Sequence, residues 1–295
     1  MVDWLVTGAN GQLGRELQAH LKESQKEIVF LDKQALNICN QQSVLSIMEK
    51  MKPKVVINCA GWTDVDKAES AIAQTFLTNA HGAENISLAA KTAGAKLLHL
   101  SSDYVFDGKS GKSMYEDSPR NPISIYGKSK AEGEDRIIQT YPQGSFIIRT
   151  AWLYGAYGSN FVKWLVRKGQ NNQASRIIDD QFGQPTSTSD LASAIISIAD
   201  NEIPPGIYHA TNSGEISWYE FARKIFEIAD LSFQLLEPVS QEVLGRAASR
   251  PSHSVLSNEK LRDVGIPILP TWQDSLNLAM PEILKKIESE LAYEG

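Results

Sequence analysis

Cysteine is scarce: Cys39 and Cys59 are the only two in 295 residues, and neither stands at metal-ligand spacing. A disulfide scaffold and a thiolate metal centre are excluded, and a reducing cytoplasm is the expected compartment. Positive charge is also in short supply, with 29 Lys and Arg against 35 Asp and Glu and a formal net charge of -6. No run of basic residues offsets this, so nucleic acid is not expected as a partner, and an anionic ligand must be met by local cations. Apolar runs stay far short of the roughly 20 residues that span a bilayer, and the chain opens on a strand rather than on a leader segment. No membrane partner is expected. Repeats and low-complexity tracts are missing too. What is present, 42% hydrophobic residues, is enough for one core and a second lobe.

Strand and helix signals alternate from the first residues. Asp3 to Thr7, Glu27 to Asp32, Lys54 to Asn58, Ala95 to Ser101 and Ser145 to Arg149 read as short buried strands. Gly11 to Leu21, Gln41 to Met51, Ala80 to Ala93 and Tyr126 to Thr140 carry helical spacing between them. Right-handed crossovers then give an α/β fold, a doubly wound parallel sheet of Rossmann-like type, with a smaller C-terminal α/β substrate lobe. The expected division is a dinucleotide-binding domain over 1–155 and a mainly substrate-binding lobe over 156–295. Segments near 176–190 and 206–210 are expected to return to the first domain. In the lobe, Trp218 to Ala229 and Ser257 to Val264 read as helices. The polar stretch Asp103 to Ile125 is too long for a plain connector, and such loops often carry function.

Three features fall at carboxyl ends of strands, where sheets of this kind place ligands. The first is Thr7-Gly8-Ala9-Asn10-Gly11-Gln12-Leu13-Gly14. Here Gly8 allows the tight turn, Gly11 lets backbone approach a pyrophosphate, and Gly14 lets helix and strand pack closely. Asp32, eighteen residues after Gly14, can accept from a ribose 2′-hydroxyl and favour NADH, whereas Lys33 beside it can receive a 2′-phosphate and favour NADPH. Both cofactors stay open. The second feature is Ser102, a neutral hydroxyl donor. The third is Tyr126 with Lys130, four apart on one helical face, where an ammonium is expected to pull the phenol's pKa down toward the working pH. A tyrosine and a lysine at that spacing are common by chance; their order after the glycine turn and Ser102 is what points to a carbonyl reductase.

At this point the chain resembles the dTDP-4-dehydrorhamnose reductases, within the extended short-chain dehydrogenase/reductases. The resemblance runs over nearly the whole length, through Thr7–Gly14, Asn58–Glu69 (NCAGWTDVDKAE), Ser101–Gly108 (SSDYVFDG), Tyr126–Lys130 (YGKSK), Arg149–Gly155 (RTAWLYG), Asp180–Thr186 (DQFGQPT) and Ser249–Pro251. It implies NAD(P)H-dependent reduction of the C4 ketone of dTDP-4-dehydro-β-L-rhamnose. Its alternatives are another nucleotide-4-keto-sugar reductase or epimerase, or a non-catalytic NADP-binding regulatory subunit of the same fold.

The resemblance also implies roles. Tyr126 protonates the forming alkoxide, Lys130 holds the nicotinamide ribose, and Ser102, where relatives often have Thr, bonds the carbonyl oxygen. Gly8, Asn10, Gly11, Gln12, Leu13, Gly14, Asp32, Asn37, Ile38, Ala60, Gly61, Thr63 and Asn79 join Tyr126 and Lys130 around the cofactor. Ser102, Asp103, Tyr104, Tyr126, Trp152 and Arg250 meet the substrate. Trp152 packs on the deoxysugar, its plain alternative being a buried core residue. Arg250 receives the diphosphate, its alternative being an ion pair. Some relatives dimerise through Mg²⁺, and Glu16, Asp190 and Glu282 fall near the corresponding places; a homodimer is a further expectation. The five histidines are expected to be structural. Asn37-Ile38 stands where relatives commonly have Asp-Ile, and Gly61 where they have Ala.

Overall fold

The computed structural model describes residues 2–294. Its first half runs β1 (Trp4–Thr7), α1 (Gln12–His20), β2 (Ile28–Leu31), α2 (Gln41–Met51), β3 (Val55–Asn58), α3 (Val65–Ser70), α4 (Ile72–Phe76), α5 (Gly82–Ala93), β4 (Lys96–Ser102), α6 (Ile125–Thr140) and β5 (Ser145–Thr150). The second half runs β6 (Leu153–Tyr154), α7 (Phe161–Gln170), β7 (Ser175–Ile178), β8 (Phe182–Gly183), β9 (Thr186–Ser187), α8 (Thr188–Asp200), β10 (Gly206–His209), β11 (Ile216–Ser217), α9 (Trp218–Ile228), β12 (Leu236–Val239), α10 (Gln241–Leu244), α11 (Glu259–Asp263) and α12 (Trp272–Glu294).

Six strands form one parallel sheet in the order β2, β1, β3, β4, β5, β10. The chain leaves β1 for β2 on one side and then returns to build β3 on the other, which opens a crevice at the carboxyl ends of β1 and β3. Successive side chains of each strand serve opposite faces. Trp4 and Val6 of β1 meet Leu13 and Leu17 of α1 and Leu191 and Ile195 of α8. Leu5 of the same strand meets Val44 and Met48 of α2 and Ile86 of α5. Both faces being covered, the strands read as unbroken apolar runs. Each such fully buried side chain contributes about 1.5–3 kcal/mol from removal of its apolar area from water.

A separate core joins α7, α9 and α12 through Val162, Leu165, Phe221, Ile225, Trp272, Leu276 and Met280. This second core belongs to the C-terminal part of the chain, yet β10 lies in the main sheet beside β5. Helix starts follow local chemistry: Asn40 accepts from Ser43 N, Ser124 from Gly127 N and Asn160 from Lys163 N, each cap contributing about 1 kcal/mol. One helix differs from expectation. The segment expected to begin at Ala80 is helical from Ile72, and passes through a π-turn at Leu77–His81 before α5.

Candidate active site

The strand ends that meet at the crevice are locked by a buried polar ladder. Thr7 Oγ1 donates to Asn58 Oδ1 at 2.6 Å, and Asn58 Nδ2 lies 2.9 Å from His99 Nδ1, so β1, β3 and β4 end in fixed relation. Burial, helped by the Lys130 charge, holds the His99 imidazole well below its usual pKa, so it serves this ladder as a neutral ring.

Gly8 follows β1 in the left-handed region at φ 69°, and a Cβ there would stand 2.6 Å from Ala60 N across the crevice. Gly14 lies under the Gly8 carbonyl, where a side chain would collide with backbone. The N-cap of α1 is Gly11, with no side-chain cap and no acidic residue in the first turn. Its first amides therefore have no side-chain acceptor, and the helix dipole adds partial positive charge. This cradle fits a dinucleotide pyrophosphate. Asp32 has both oxygens engaged, Oδ2 by Asn10 Nδ2 at 2.8 Å and Oδ1 by the Gln34 and Ala35 amides. Leu13 and Ile38 turn their side chains into the two cores, and Gln12 packs against Gly158. Asn37 closes an Asx turn onto Cys39 N.

On the far side of the crevice, Gly61 brings the β3 loop against α6: a Cβ there would lie 3.3 Å from Lys130 Nζ. Asn79, in the π-turn, accepts from Trp62 N at 2.7 Å and donates to Trp62 O and to Ser129 Oγ. Its amide braces the Gly61–Thr63 loop to α6. The π-turn is what rotates Asn79 to that position, a use typical of such irregularities. Thr63 and Ala60 lie on the same loop, and Ala60 N donates to Asn58 Oδ1.

Ser102 ends β4, and its hydroxyl lies 2.8 Å from Asp103 Oδ1 and accepts from Tyr104 N at 3.2 Å. Tyr126 is the second residue of α6, buried, with its ring edge-on to Tyr104 at 5.5 Å. The two elements approach closely because Gly127 lies directly against the Tyr104 carbonyl, leaving no room for a side chain. Lys130 Nζ donates to the Leu100 carbonyl at 2.8 Å. Ser102, Tyr126 and Lys130 are thereby gathered at the ends of β3 and β4, next to the glycine turn.

The expected electrostatics differ at one point. Burial pushes the Tyr126 phenol up to about 12; the Ser102 hydroxyl opposes this and the Asp103 charge adds to it. Lys130 does not pull the phenol down in this arrangement, because burial dominates and the ammonium is turned to the Leu100 carbonyl. Lys130 itself is lowered to about 8 by burial, with the Glu134 charge resisting. Since the cationic form is lost as pH rises through that value, turnover is expected to decline above about pH 8 in an initial-rate profile. A flat rate to pH 10 or so would remove the requirement for the ammonium.

Arg250 is engaged in an ion pair, the plain alternative to its expected diphosphate role. Its fork is bidentate to Asp66, at 3.1 and 2.6 Å, and Nη1 also donates to Ala248 O. This pair ties the 246–251 segment to α3, which also anchors α6 through Glu69 Oε1, accepting from Ile125 N at 2.8 Å. The acidic residues of the VDKAE segment are thus brackets between the loop and α6. Arg246, next to Arg250, makes no ion pair among the described residues.

Trp152 adopts φ 47°, uncommon for a bulky residue, and stacks on Trp218 with ring centroids 3.5 Å apart. Gly183 gives it space, since a Cβ there would stand 2.5 Å from the indole. Within the same segment Gln184 holds Leu256 through both its backbone N and O. Trp218 was visible in sequence only as a helix start, and nothing in its spacing tied it to Trp152. Glu16, Asp190 and Glu282 do line one cavity of about 120 Å³. Glu16 there accepts from Thr188 Oγ1 and Asp190 from Asn212 Nδ2, and no group of three His, Cys, Asp or Glu side chains among the described residues is arranged to hold a metal ion. The Mg²⁺ expectation therefore finds no support at these three carboxylates.

This fold and strand-end crevice define a Rossmann-like dinucleotide-binding protein. The chain belongs to the RmlD substrate binding domain family, whose model matches residues 2–285. It is 43% identical to the spore coat polysaccharide biosynthesis protein SpsK of Bacillus subtilis, over 90% of this chain and 93% of that protein. It is 38% identical to the dTDP-4-dehydrorhamnose reductase of Streptomyces griseus, over 95% and 93% of the two chains. Among solved structures, the dTDP-4-dehydrorhamnose reductase of Bacillus anthracis in complex with NADP is similar at a TM-score of 0.92, with 38% identity and 95% and 99% coverage.

Proposed function

We propose that the protein reduces the C4 ketone of dTDP-4-dehydro-β-L-rhamnose to dTDP-L-rhamnose with NADPH, in the cytoplasm. The observation that carries this reading is the convergence of Ser102, Tyr126 and Lys130 beside the Gly8–Gly14 cradle, with Lys130 Nζ 3.3 Å from the position of a Gly61 Cβ. The family and the reductases named above supply the substrate class, and the NADP complex of the Bacillus anthracis relative supports the cofactor. Lys33, exposed beside Asp32, is the cation available to a 2′-phosphate.

When bound, the nicotinamide supplies a hydride equivalent to the ketone carbon. The chain does the rest. The amides opening α1 hold the pyrophosphate, and Lys130 fixes the ribose. Ser102 bonds the carbonyl oxygen, and Tyr126, protonated throughout the neutral range, delivers the proton to it. Trp152, backed by Trp218, packs on the deoxysugar. Arg246 takes the diphosphate, because the Arg250 fork is spent on Asp66.

Loss of NAD(P)H absorbance on adding the keto-sugar nucleotide, with each reduced cofactor separately, tests reaction and cofactor together. Tight cofactor binding without turnover would favour the regulatory alternative. Arg246→Ala is expected to raise KM about tenfold with kcat near normal, the loss of roughly one charge-assisted contact. An unchanged KM would take the diphosphate away from Arg246.

A further inference from the structure

Asp103 presents a problem that the catalytic assignment leaves unsolved. It is 1% exposed, its Oδ1 lies 2.8 Å from Ser102 Oγ, and Oδ2 has no hydrogen-bond partner among the described residues. No cation pairs with it among them either. A buried carboxylate in that state leaves half its acceptor capacity empty, which is costly, whereas a neutral carboxyl needs only one acceptor for its single O–H.

Ser102 supplies that acceptor, and its own inventory decides the consequence. A hydroxyl has one donor and two acceptor sites, and one acceptor site is already filled by Tyr104 N at 3.2 Å. If Asp103 is ionised, the only Ser102 proton is drawn to the carboxylate. The hydroxyl then has no proton to offer a ketone, and a negative charge stands beside the oxygen on which negative charge develops. If Asp103 is protonated, its O–H fills the second acceptor site of Ser102, and the Ser102 proton is released from Asp103 toward the side where the Tyr126 phenol stands and the carbonyl oxygen arrives.

Resting on the reductase reading, we propose that Asp103 is a positioning residue that in its neutral form aims the Ser102 hydroxyl at the substrate carbonyl. Burial raises the Asp103 carboxyl to about 6, and the groups that oppose this are the Ser102 and Ser254 hydroxyls and backbone amides of its own turn. From its own turn the Tyr104 ring faces it and from α6 the Tyr126 phenol, both pushed up mainly by burial and further by its charge; from the returning 251–257 segment comes the buried Ser254 hydroxyl. Arg250 and Arg246 act on Tyr104 rather than on Asp103.

The protonated form being the productive one, kcat is full below the Asp103 pKa and falls as pH rises through it. The test is a kcat profile from about pH 5 to 9 for the intact enzyme, Asp103→Asn, Ser102→Ala and the double variant. The amide of Asp103→Asn donates to Ser102 at every pH, so the lower descending limb is expected to vanish while the one set by Lys130 remains. Adding Asp103→Asn to Ser102→Ala is expected to change kcat less than twofold, because the effect passes through that hydroxyl. Retention of the lower limb in Asp103→Asn, or an undiminished Asp103→Asn effect in the Ser102→Ala background, overturns the proposal while the intact enzyme still turns over. No turnover by the intact enzyme at any pH would instead overturn the reductase reading. Should Asp103→Asn fail to fold, infrared titration of the intact protein decides: a carboxyl band assigned to Asp103 that ionises below about pH 4, near the ordinary carboxyl value, is equally fatal.

Discussion

Tyr126→Phe is expected to lose kcat by roughly 10²- to 10⁴-fold, the range that a positioned proton donor contributes, with the cofactor Kd within about twofold of the parent. The substitution removes one hydroxyl and leaves the ring, which is buried and packed edge-on to Tyr104 at 5.5 Å. Neither Gly127, which sets the approach of α6 to the Tyr104 carbonyl, nor the Lys130 bond to Leu100 O depends on the phenol oxygen. The lesion is therefore confined to the proton. Because burial holds the phenol near 12, the donor form persists across the neutral range, and pH above about 8 is felt first through Lys130. Steady-state kinetics with fluorescence titration of the cofactor checks both halves. A variant within a few-fold of the parent would mean that another group supplies the proton, and Ser102 would be the first to examine.

How much of this was legible in the sequence depends on the range of the interaction. The strands β1, β3, β4 and β5 are short apolar runs with both neighbours covered, so local pattern suffices to find them, and the strand Gly206–His209 could be read the same way. The glycine turn is legible because each glycine answers to backbone at close quarters: Gly8 to the β3 end, Gly14 to Gly8 itself. The Tyr126 and Lys130 pair is legible because helical spacing puts both on one face.

Pairings across long stretches of chain were not legible. Arg250 looked like a phosphate ligand because nothing in Ser249-Arg250-Pro251 announces that Asp66, 184 residues away, takes its fork. The stack of Trp218 on Trp152 likewise joins two elements that the sequence offers as unrelated. Asn79 read as a weak cofactor candidate, but the π-turn that directs it to Trp62 and Ser129 has no compositional signal. Electrostatics was half legible: spacing brings an ammonium near the phenol, while the burial that outweighs it exists only once β4, α6 and the 251–257 segment have closed around the pair.

Glu134→Ala is expected to destabilise the fold by about 3–5 kcal/mol, as removal of one partner from a buried ion pair does. Glu134 is fully buried and takes four donors: Ser101 Oγ at 2.5 Å, Arg149 Nε at 2.9 Å, Arg149 Nη2 at 2.7 Å and Arg120 Nη1 at 3.0 Å. Without it Arg149, 1% exposed, keeps the Glu116 carbonyl, the edge of His209 and the face of the Phe106 ring at 5.0 Å, none of which carries a negative charge. Arg120 suffers less, since it is part-exposed and retains Asp135. Against a typical total stability of about 5–15 kcal/mol, the loss is a large fraction, equivalent to a fall in Tm on the order of 10 °C by differential scanning calorimetry. The position of the residue adds a catalytic signature. Glu134 lies one turn beyond Lys130 and holds Ser101, the residue between the Leu100 carbonyl that binds Lys130 and the hydroxyl of Ser102. Its charge also helps keep Lys130 protonated against burial, so the surviving folded fraction is expected to show its alkaline decline at lower pH than the parent. Replacing Glu134 and Arg149 together by Met removes the stranded charge and is expected to recover much of the stability, though not the alkaline limb, because the first depends on desolvation and the second on the Glu134 charge itself. A Glu134→Ala protein as stable as the parent, with its pH profile unmoved, would show that the carboxylate neither neutralises Arg149 nor supports Lys130.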